Sequence, residues 1–230
     1  MPTIPPTMQA EAGTVANPFL YDAPAGRKQR FLLLSAFVAG KQALRQQQAL
    51  DRYLAVLYEK APAGATPFEA LQWSWHSGGR PRDFPASVEA ARRVPFFRTL
   101  IESRCGQYTR LGRFLLEVIK RSTGVPEWPD NCTREDLVQL PGFGLKSASF
   151  YLLYTRRGMR MAALDTHILA WLKEQHVRHH IPPATPSGAL YLTVEALFIK
   201  DAAKRNMDCA ELDFSIWKER SQTMKILSTL

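Results

Sequence analysis

A lysine and an aspartate 19 residues apart, Lys146 and Asp165, have the types and the spacing to do chemistry together. Lys146 follows the glycine-rich stretch LPGFG (140–144) and falls on the first turn of a predicted helix, where the helix dipole disfavours a cation. Asp165 follows the apolar stretch MAAL (161–164) and precedes another predicted helix, so it also suits a plain N-cap. One helix and a return loop separate the two residues, and this arrangement can bring both helix starts to one cleft.

An amine and a carboxylate in one cleft suit the cleavage of an N-glycosidic bond. The sugar gains oxocarbenium character as that bond breaks, and a nearby carboxylate stabilises the developing charge. A neutral lysine can attack C1′ of the sugar and form a Schiff base, after which β-elimination cuts the strand. The pair therefore predicts Lys146 as a nucleophile and Asp165 as its assisting carboxylate.

The stretch LPGFG predicts a tight turn between two helices. Pro141 ends the first helix, and Gly142 and Gly144 can adopt positive φ angles and turn the chain tightly. Glycines leave backbone N–H groups uncovered at the start of the second helix, and such groups favour a phosphate. A helical hairpin that binds no ligand is the alternative on this segment alone.

Two motifs of the chain resemble the signature of the helix–hairpin–helix (HhH-GPD) DNA glycosylase superfamily. They are LPGFGLKSA (140–148), which contains Lys146, and LDTHI (164–168), which contains Asp165. The segments RFLLLSAFVAGKQALR (30–45) and ELDFSIW (211–217) are similar to parts of the archaeal-type 8-oxoguanine DNA glycosylase/AP lyases. The resemblance implies a bifunctional base-excision-repair enzyme that removes an oxidised purine, most simply 8-oxoguanine, from double-stranded DNA. The same chemistry on another modified base, or a non-catalytic DNA-binding module, are the alternatives.

The resemblance also implies roles for individual residues. Lys146 matches the nucleophile and Asp165 the essential aspartate, while Asp213 and Trp217 match residues that line the base pocket. The residues implied to contact DNA are Leu140, Gly142, Phe143, Gly144, Ser147 and His167. The resemblance further implies a monovalent cation site in the hairpin, formed by the carbonyls of Val138, Leu140 and Phe143.

The cysteines argue against an iron–sulfur cluster. Cys105, Cys132 and Cys209 are widely spaced, form no CxxC pattern and are one short of the four thiolates that such a cluster needs. The chain therefore departs from the cluster-binding branches of the superfamily that act as endonuclease III or on adenine mismatches. We expect no cofactor and no redox metal.

Other polar and aromatic residues have weaker signals. The glutamines Gln42, Gln46, Gln47 and Gln48 predict a solvated helix face, from which Gln42 could reach a base. In WSWH (73–76) we favour core packing over base stacking, and in HVRHH (176–180) solvated histidines over a metal site. The candidate phosphate-neutralising residues are Arg104, Arg110, Arg113, Lys120 and Arg121.

Apolar residues recur at helical spacing along most of the chain, and no alternating run predicts a strand. We predict an all-α fold of two helical lobes with the cleft between them, and a helix–hairpin–helix at about 134–156. Residues 27–230 form the predicted HhH-GPD domain, and the proline-rich residues 1–26 an irregular arm. Long helices are predicted over 41–60 and 97–121, and caps at Thr66 and Thr133.

The composition is that of a globular protein with a basic excess. The formal charge is +9 at pH 7, with 46% hydrophobic and 22% charged residues. Such a charge attracts polyanions, here DNA. The apolar run in RKQRFLLLSAFVAG (27–40) starts too late for a signal peptide and is too short to span a bilayer. We expect a monomer in the cytoplasm, associated with the nucleoid and not with a membrane.

Overall fold

A computed structural model describes residues 18–39, 43–125 and 128–220, and within these ranges all regular structure is helical. This confirms the predicted all-α class. The described helices are α1 (Ala25–Phe37), α2 (Ala43–Tyr58), α3 (Pro67–Ser77), α4 (Val88–Arg92), α5 (Pro95–Glu102), α6 (Tyr108–Ser122), α7 (Arg134–Val138), α8 (Leu145–Thr155), α9 (Thr166–Gln175), α10 (Gly188–Lys204) and α11 (Cys209–Arg220).

The helices pack in two groups. In the first, α2 contacts α3 and α5, and α6 contacts α3 and α5; in the second, α11 contacts α8, α9 and α10. Helix α1 contacts α2 and α3 in the first group and α8 in the second. Its Phe31 side chain, fully buried, lies 5.1 Å from the Phe150 ring and 6.0 Å from the Tyr154 ring of α8. Helix α1 thus fixes α8, which carries Lys146, against the first group.

Two helix starts are set by capping boxes, as the sequence predicts. Thr66 accepts a hydrogen bond from the Glu69 amide while the Glu69 carboxylate accepts one from the Thr66 amide. Thr133 and Asp136 make the same reciprocal pair at the start of α7. These bonds satisfy N–H groups that the first turn of a helix leaves unpaired.

The single long helix predicted over 97–121 is wrong, because the chain breaks into α5 and α6. Arg104, Gly106 and Gln107 all have positive φ angles. Two side chains of α2 hold this break: Gln46 Nε2 donates to the Cys105 carbonyl at 3.0 Å, and Arg52 donates to the Ser103 carbonyl. The apolar pattern continues through the break because Cys105 is itself buried.

The predicted solvated glutamine face is also wrong. Gln46 and Gln47 are buried, at 4% and 7% exposure, because α2 packs between α1, α3 and α5. Gln48 is exposed as expected, and Gln42 lies outside the described residues.

In WSWH the two tryptophans differ. Trp75 packs against the core and donates to the Pro81 carbonyl, as favoured from the sequence. Trp73, however, is 48% exposed. It occupies a different face of α3 from the buried Phe68 and Leu71.

The chain packs onto the helical body before α1 begins. The Leu20 amide donates to the Tyr154 carbonyl at 2.7 Å, and the Phe19 ring lies 5.6 Å from the Tyr154 ring. The predicted arm over 1–26 thus includes a described part, 18–24, that contacts α8, while 1–17 lie outside the described residues. None of the described helices combines the length and apolarity that crossing a membrane requires.

Candidate active site

Lys146 lies on the first turn of α8, as predicted, and is half-buried. The N-cap of α8 is Gly144, which offers no side chain to the free N–H groups of the first turn. A Cβ added at Gly144 would meet no atom within 4 Å, so the helix start is open on this side. An open helix N-terminus carries uncovered donors and partial positive charge.

The two hairpin glycines have different conformations. Gly142 has a φ of +73° and Gly144 a φ of −93°, so only Gly142 uses the left-handed conformation that both glycines can adopt. The turn needs only one left-handed residue, since Phe143 already donates its amide to the Leu140 carbonyl at 2.9 Å. A Cβ at Gly142 would lie 2.4 Å from Cδ of Arg110, so this glycine also permits close packing on α6.

The hairpin presents backbone, with its apolar side chains in the core. Leu140 and Phe143 are 1% and 2% exposed, and the Phe143 ring stacks on Phe114 at 5.8 Å. Ser147 is likewise buried, and Val138 is half-buried at the end of α7. Any DNA or cation contact at Val138, Leu140 or Phe143 would therefore use main-chain groups.

Asp165 is the N-cap of α9, which confirms the local reading of this residue. Its Oδ1 accepts hydrogen bonds from the amides of His167 and Ile168, both at 2.9 Å. These bonds fix the carboxylate and leave Oδ2 outside the cap. The His167 side chain is partly exposed on the same first turn of α9.

Asp213 of α11 is a buried carboxyl group near both Lys146 and Asp165. It is fully buried, and Tyr154 of α8 donates its hydroxyl to Asp213 Oδ2 at 3.1 Å. Burial and the nearby Asp165 carboxylate raise the pKa of Asp213 to about 8, while the Lys146 ammonium acts in the opposite direction. The Ala163 backbone amide also acts to lower this pKa, and within the described residues Oδ1 has no partner at full hydrogen-bond geometry. Lys146 and Asp165 therefore both lie within electrostatic range of Asp213.

Helix packing explains this arrangement. Helix α11 contacts both α8, which begins at the lysine, and α9, which begins after the aspartate. Trp217 lies one turn after Asp213 on α11, and its side chain is half-buried. The structure thus places Lys146 and Asp165, from two helices, within electrostatic range of Asp213 on a third, and Trp217 lies one turn further along that third helix.

Tyr154 is a member of this cluster that sequence reasoning missed. Its hydroxyl is buried against Asp213, and burial together with that carboxyl holds the pKa of Tyr154 well above its usual range. It lies two turns after Lys146 on α8, where an aromatic residue reads simply as core. Only the position of α11 distinguishes it from the other buried tyrosines.

The candidate phosphate-neutralising residues differ in their surroundings. Arg110 is engaged within the protein: its side chain donates to the Ala36 carbonyl at 2.8 Å and to the Gln107 side-chain oxygen at 2.6 Å. Arg113 pairs with Asp83, and Lys120 and Arg121 pair with Glu117. Arg104 is exposed in the break between α5 and α6.

The histidines and cysteines give no metal cluster within the described ranges. His179 and His180 are exposed, as favoured from the sequence, but the prediction is wrong for His176, whose side chain is 12% exposed and bonds to Asp201 at 2.6 Å. Cys105, Cys132 and Cys209 are buried free thiols.

The protein is similar in structure to a solved DNA glycosylase. The sequence matches no protein-family model. The structure, however, matches the crystal structure of Tm1821, the 8-oxoguanine DNA glycosylase of Thermotoga maritima, with a TM-score of 0.55 over 89% of this chain and 85% of that one. The chain therefore shares the fold of that glycosylase. At 20% sequence identity the likeness establishes the fold alone, because one fold can host several functions.

Proposed function

We propose that the chain is a base-excision-repair DNA glycosylase with associated AP lyase activity, and that its substrate is an oxidised purine such as 8-oxoguanine. The observation that supports the proposal is that α11 packs on both α8 and α9, so that Lys146 and Asp165 both lie within electrostatic range of the buried Asp213, and that Lys146 follows an open helix N-terminus. Phosphate binding by the hairpin alone would not require a lysine and two carboxyl groups. The shared fold with a glycosylase supports the same assignment.

In the proposed reaction Lys146 is the nucleophile. The neutral Nζ attacks C1′ of the damaged nucleotide, the N-glycosidic bond breaks, and the base leaves with the bonding electrons and takes up a proton. The Asp165 carboxylate, held by the His167 and Ile168 amides, stabilises positive charge on the sugar. Loss of a proton from nitrogen and opening of the sugar ring give a Schiff base. Loss of a proton from C2′ then expels the 3′-phosphate.

The remaining predicted residues have binding roles in this proposal. Backbone groups of 140–144 and the His167 side chain hold a DNA phosphate, and Asp213 and Trp217 contact the flipped base. A flipped purine requires an aromatic surface for its face and a polar group for its edge. Because Lys146 supplies the nucleophile, the proposed reaction needs no cofactor. We propose that the enzyme acts as a monomer on chromosomal DNA.

Borohydride trapping tests the proposal. Borohydride reduces a Schiff base to a stable amine, so a duplex with one 8-oxoguanine should become covalently attached to the protein. Lys146→Gln should abolish both the adduct and base release while leaving duplex affinity within about threefold, because the transition-state interaction is lost and the phosphate contacts remain. Lys60→Gln, an exposed lysine after α2, is the matched control and should trap like the wild type.

Three other outcomes would each change the assignment. An adduct that persists in Lys146→Gln would remove Lys146 from the mechanism. An adduct that forms only with an abasic-site duplex would support Lys146 as the nucleophile and indicate that the substrate is a modified base other than 8-oxoguanine. No adduct with either duplex would identify a non-catalytic DNA-binding module.

A further inference from the structure

The segment that leads to Asp165 is buried yet not helical. Residues 161–164 run from the loop after α8 to the N-cap of α9, and all four are less than 9% exposed. Buried backbone N–H and C=O groups require hydrogen-bond partners, which a helix or sheet would otherwise supply. Several of the partners here are side chains of α10 and of the loop that precedes it.

Tyr191 of α10 binds this segment twice. Its hydroxyl donates to the Ala162 carbonyl at 2.6 Å and accepts from the Leu164 amide at 3.4 Å. Thr185 donates its hydroxyl to the Leu164 carbonyl at 2.8 Å. Leu164 directly precedes Asp165, so these bonds fix the chain at the residue before the carboxylate.

Glu195, one turn after Tyr191, ties the same segment to the hairpin. Its Oε1 accepts from the Ala162 amide at 2.9 Å and from Arg134 Nη1 at 2.7 Å, and its Oε2 accepts from the same nitrogen at 2.9 Å. Arg134 is the first residue of α7, the first helix of the hairpin. The Glu195 and Arg134 side chains are only 6% and 16% exposed, so solvent screens their attraction weakly.

We propose that Tyr191 and Glu195 are positioning residues: together with Thr185 they set the location of the Asp165 carboxylate relative to the hairpin that presents Lys146. The inference rests on the proposed function above and deepens it. Neither side chain touches the reacting atoms. Both side chains bind the backbone of the segment before Asp165, at Ala162 and Leu164. Glu195 also binds Arg134 and so connects this segment to the hairpin.

The expected effect follows from the sensitivity of catalysis to geometry. A displacement of about 1 Å at a catalytic group costs on the order of a hundredfold in rate. Phosphate contacts, in contrast, use the hairpin backbone and tolerate small shifts of Asp165. We call Tyr191, Glu195 and Thr185 the clamp. Loss of a hydrogen bond in the clamp should therefore lower the rate of the chemical step more than it lowers duplex affinity.

Tyr191→Phe tests the inference because it removes one hydroxyl and keeps the ring. We expect the single-turnover rate of adduct formation with the damaged duplex to fall at least about tenfold, with duplex affinity within about threefold. Tyr53→Phe is the matched control, since the Tyr53 hydroxyl on α2 is equally buried and has no hydrogen-bond partner within the described residues. A wild-type rate in Tyr191→Phe, or an equal loss in Tyr53→Phe, would overturn the inference.

A second pair of variants covers the case in which Tyr191→Phe unfolds. Thr185 is exposed, so Thr185→Val removes its hydroxyl with little change in packing, and Thr185→Ser retains the hydroxyl. We expect the single-turnover rate to fall in Thr185→Val and to return in Thr185→Ser. Equal rates in both variants would contradict the clamp.

Amide hydrogen exchange separates this inference from the proposed function. The amides of His167 and Ile168 report on the Asp165 cap, whatever reaction the protein catalyses. They should exchange at least about tenfold faster in Tyr191→Phe than in Tyr53→Phe if the clamp orients Asp165. If the wild type forms no adduct, the proposed function falls, and unchanged exchange at these two amides would overturn the clamp as well.

Discussion

At the scale of single residues, the buried Asp213 is the least ordinary feature of the site. Its pKa of about 8 means that the carboxyl is mostly protonated at neutral pH. Two causes act together, burial away from water and the nearby charge of Asp165. A protonated carboxyl can donate a hydrogen bond, which an ionised one cannot, so its protonation state bears directly on what edge of a base it could contact.

The pH dependence of stability should reveal this residue. The native pKa of about 8 lies above the unfolded value of about 3.9, so between these limits the native state binds more protons than the unfolded state. The contribution of Asp213 is therefore fully present below pH 4 and is lost as the pH rises towards 8, with a slope of up to about 1.4 kcal/mol per pH unit.

Asp213→Asn cannot ionise, so it should show a flatter decline in the free energy of unfolding between pH 5 and 8 than the wild type. Urea unfolding at several pH values measures this, with the exposed Asp83→Asn as control. Parallel curves for wild type and Asp213→Asn would show that Asp213 does not titrate with a raised pKa.

At the scale of elements, the hairpin works through the contrast between its two glycines. Gly142 combines a left-handed backbone with tight packing on Arg110, whereas Gly144 has an ordinary φ and open space beside it. The first glycine shapes the turn, and the second leaves the start of α8 accessible to a ligand. Alanine scanning can separate these two roles.

Gly142→Ala should lower the free energy of unfolding by at least about 1 kcal/mol, because an alanine at positive φ is strained and its Cβ meets Arg110. Gly144→Ala should leave the unfolding free energy within about 0.5 kcal/mol. Its methyl group, however, should weaken duplex binding by covering the first-turn amides of α8. Denaturant unfolding and fluorescence anisotropy measure the two effects. Equal losses of stability in both variants would contradict this division of roles.

At the scale of the whole molecule, the formal charge of +9 provides a general attraction for DNA. The arginines do not all contribute equally, because several are already engaged within the protein. Arg113 pairs with Asp83 at 3.2 Å, whereas Arg104 is exposed at the break between α5 and α6. We expect phosphate to bind exposed arginines more readily than arginines that must first break an ion pair within the protein.

The affinity for undamaged duplex should fall steeply with salt, because each phosphate contact contributes about 0.9 to the slope of log K against log salt. Arg104→Gln should reduce this slope by about 0.9, and Arg113→Gln by clearly less. Binding titrations between 50 and 200 mM salt measure both slopes. An unchanged slope in Arg104→Gln would place Arg104 outside the DNA interface.

The sequence by itself determined the features that depend on neighbouring residues. Helical periodicity predicted the all-α class, Thr66 and Thr133 predicted their capping boxes, and the LPGFG stretch predicted the hairpin, because propensity, caps and turns are local effects. The spacing of Lys146 and Asp165 predicted that their helix starts can lie at one cleft, which stays a prediction. These signals need no knowledge of how the helices pack.

Only the tertiary structure decided the features that depend on distant residues. The break at 103–107 is held by side chains of α2, and this is why an unbroken apolar pattern did not become one helix. The Tyr154–Asp213 bond joins residues 59 apart, and the Glu195 bonds reach Ala162 and Arg134 across 33 and 61 residues. A tyrosine or glutamate on an amphipathic helix gives no sign of such a partner, because burial and hydrogen bonding are set by which helices pack together and not by local sequence.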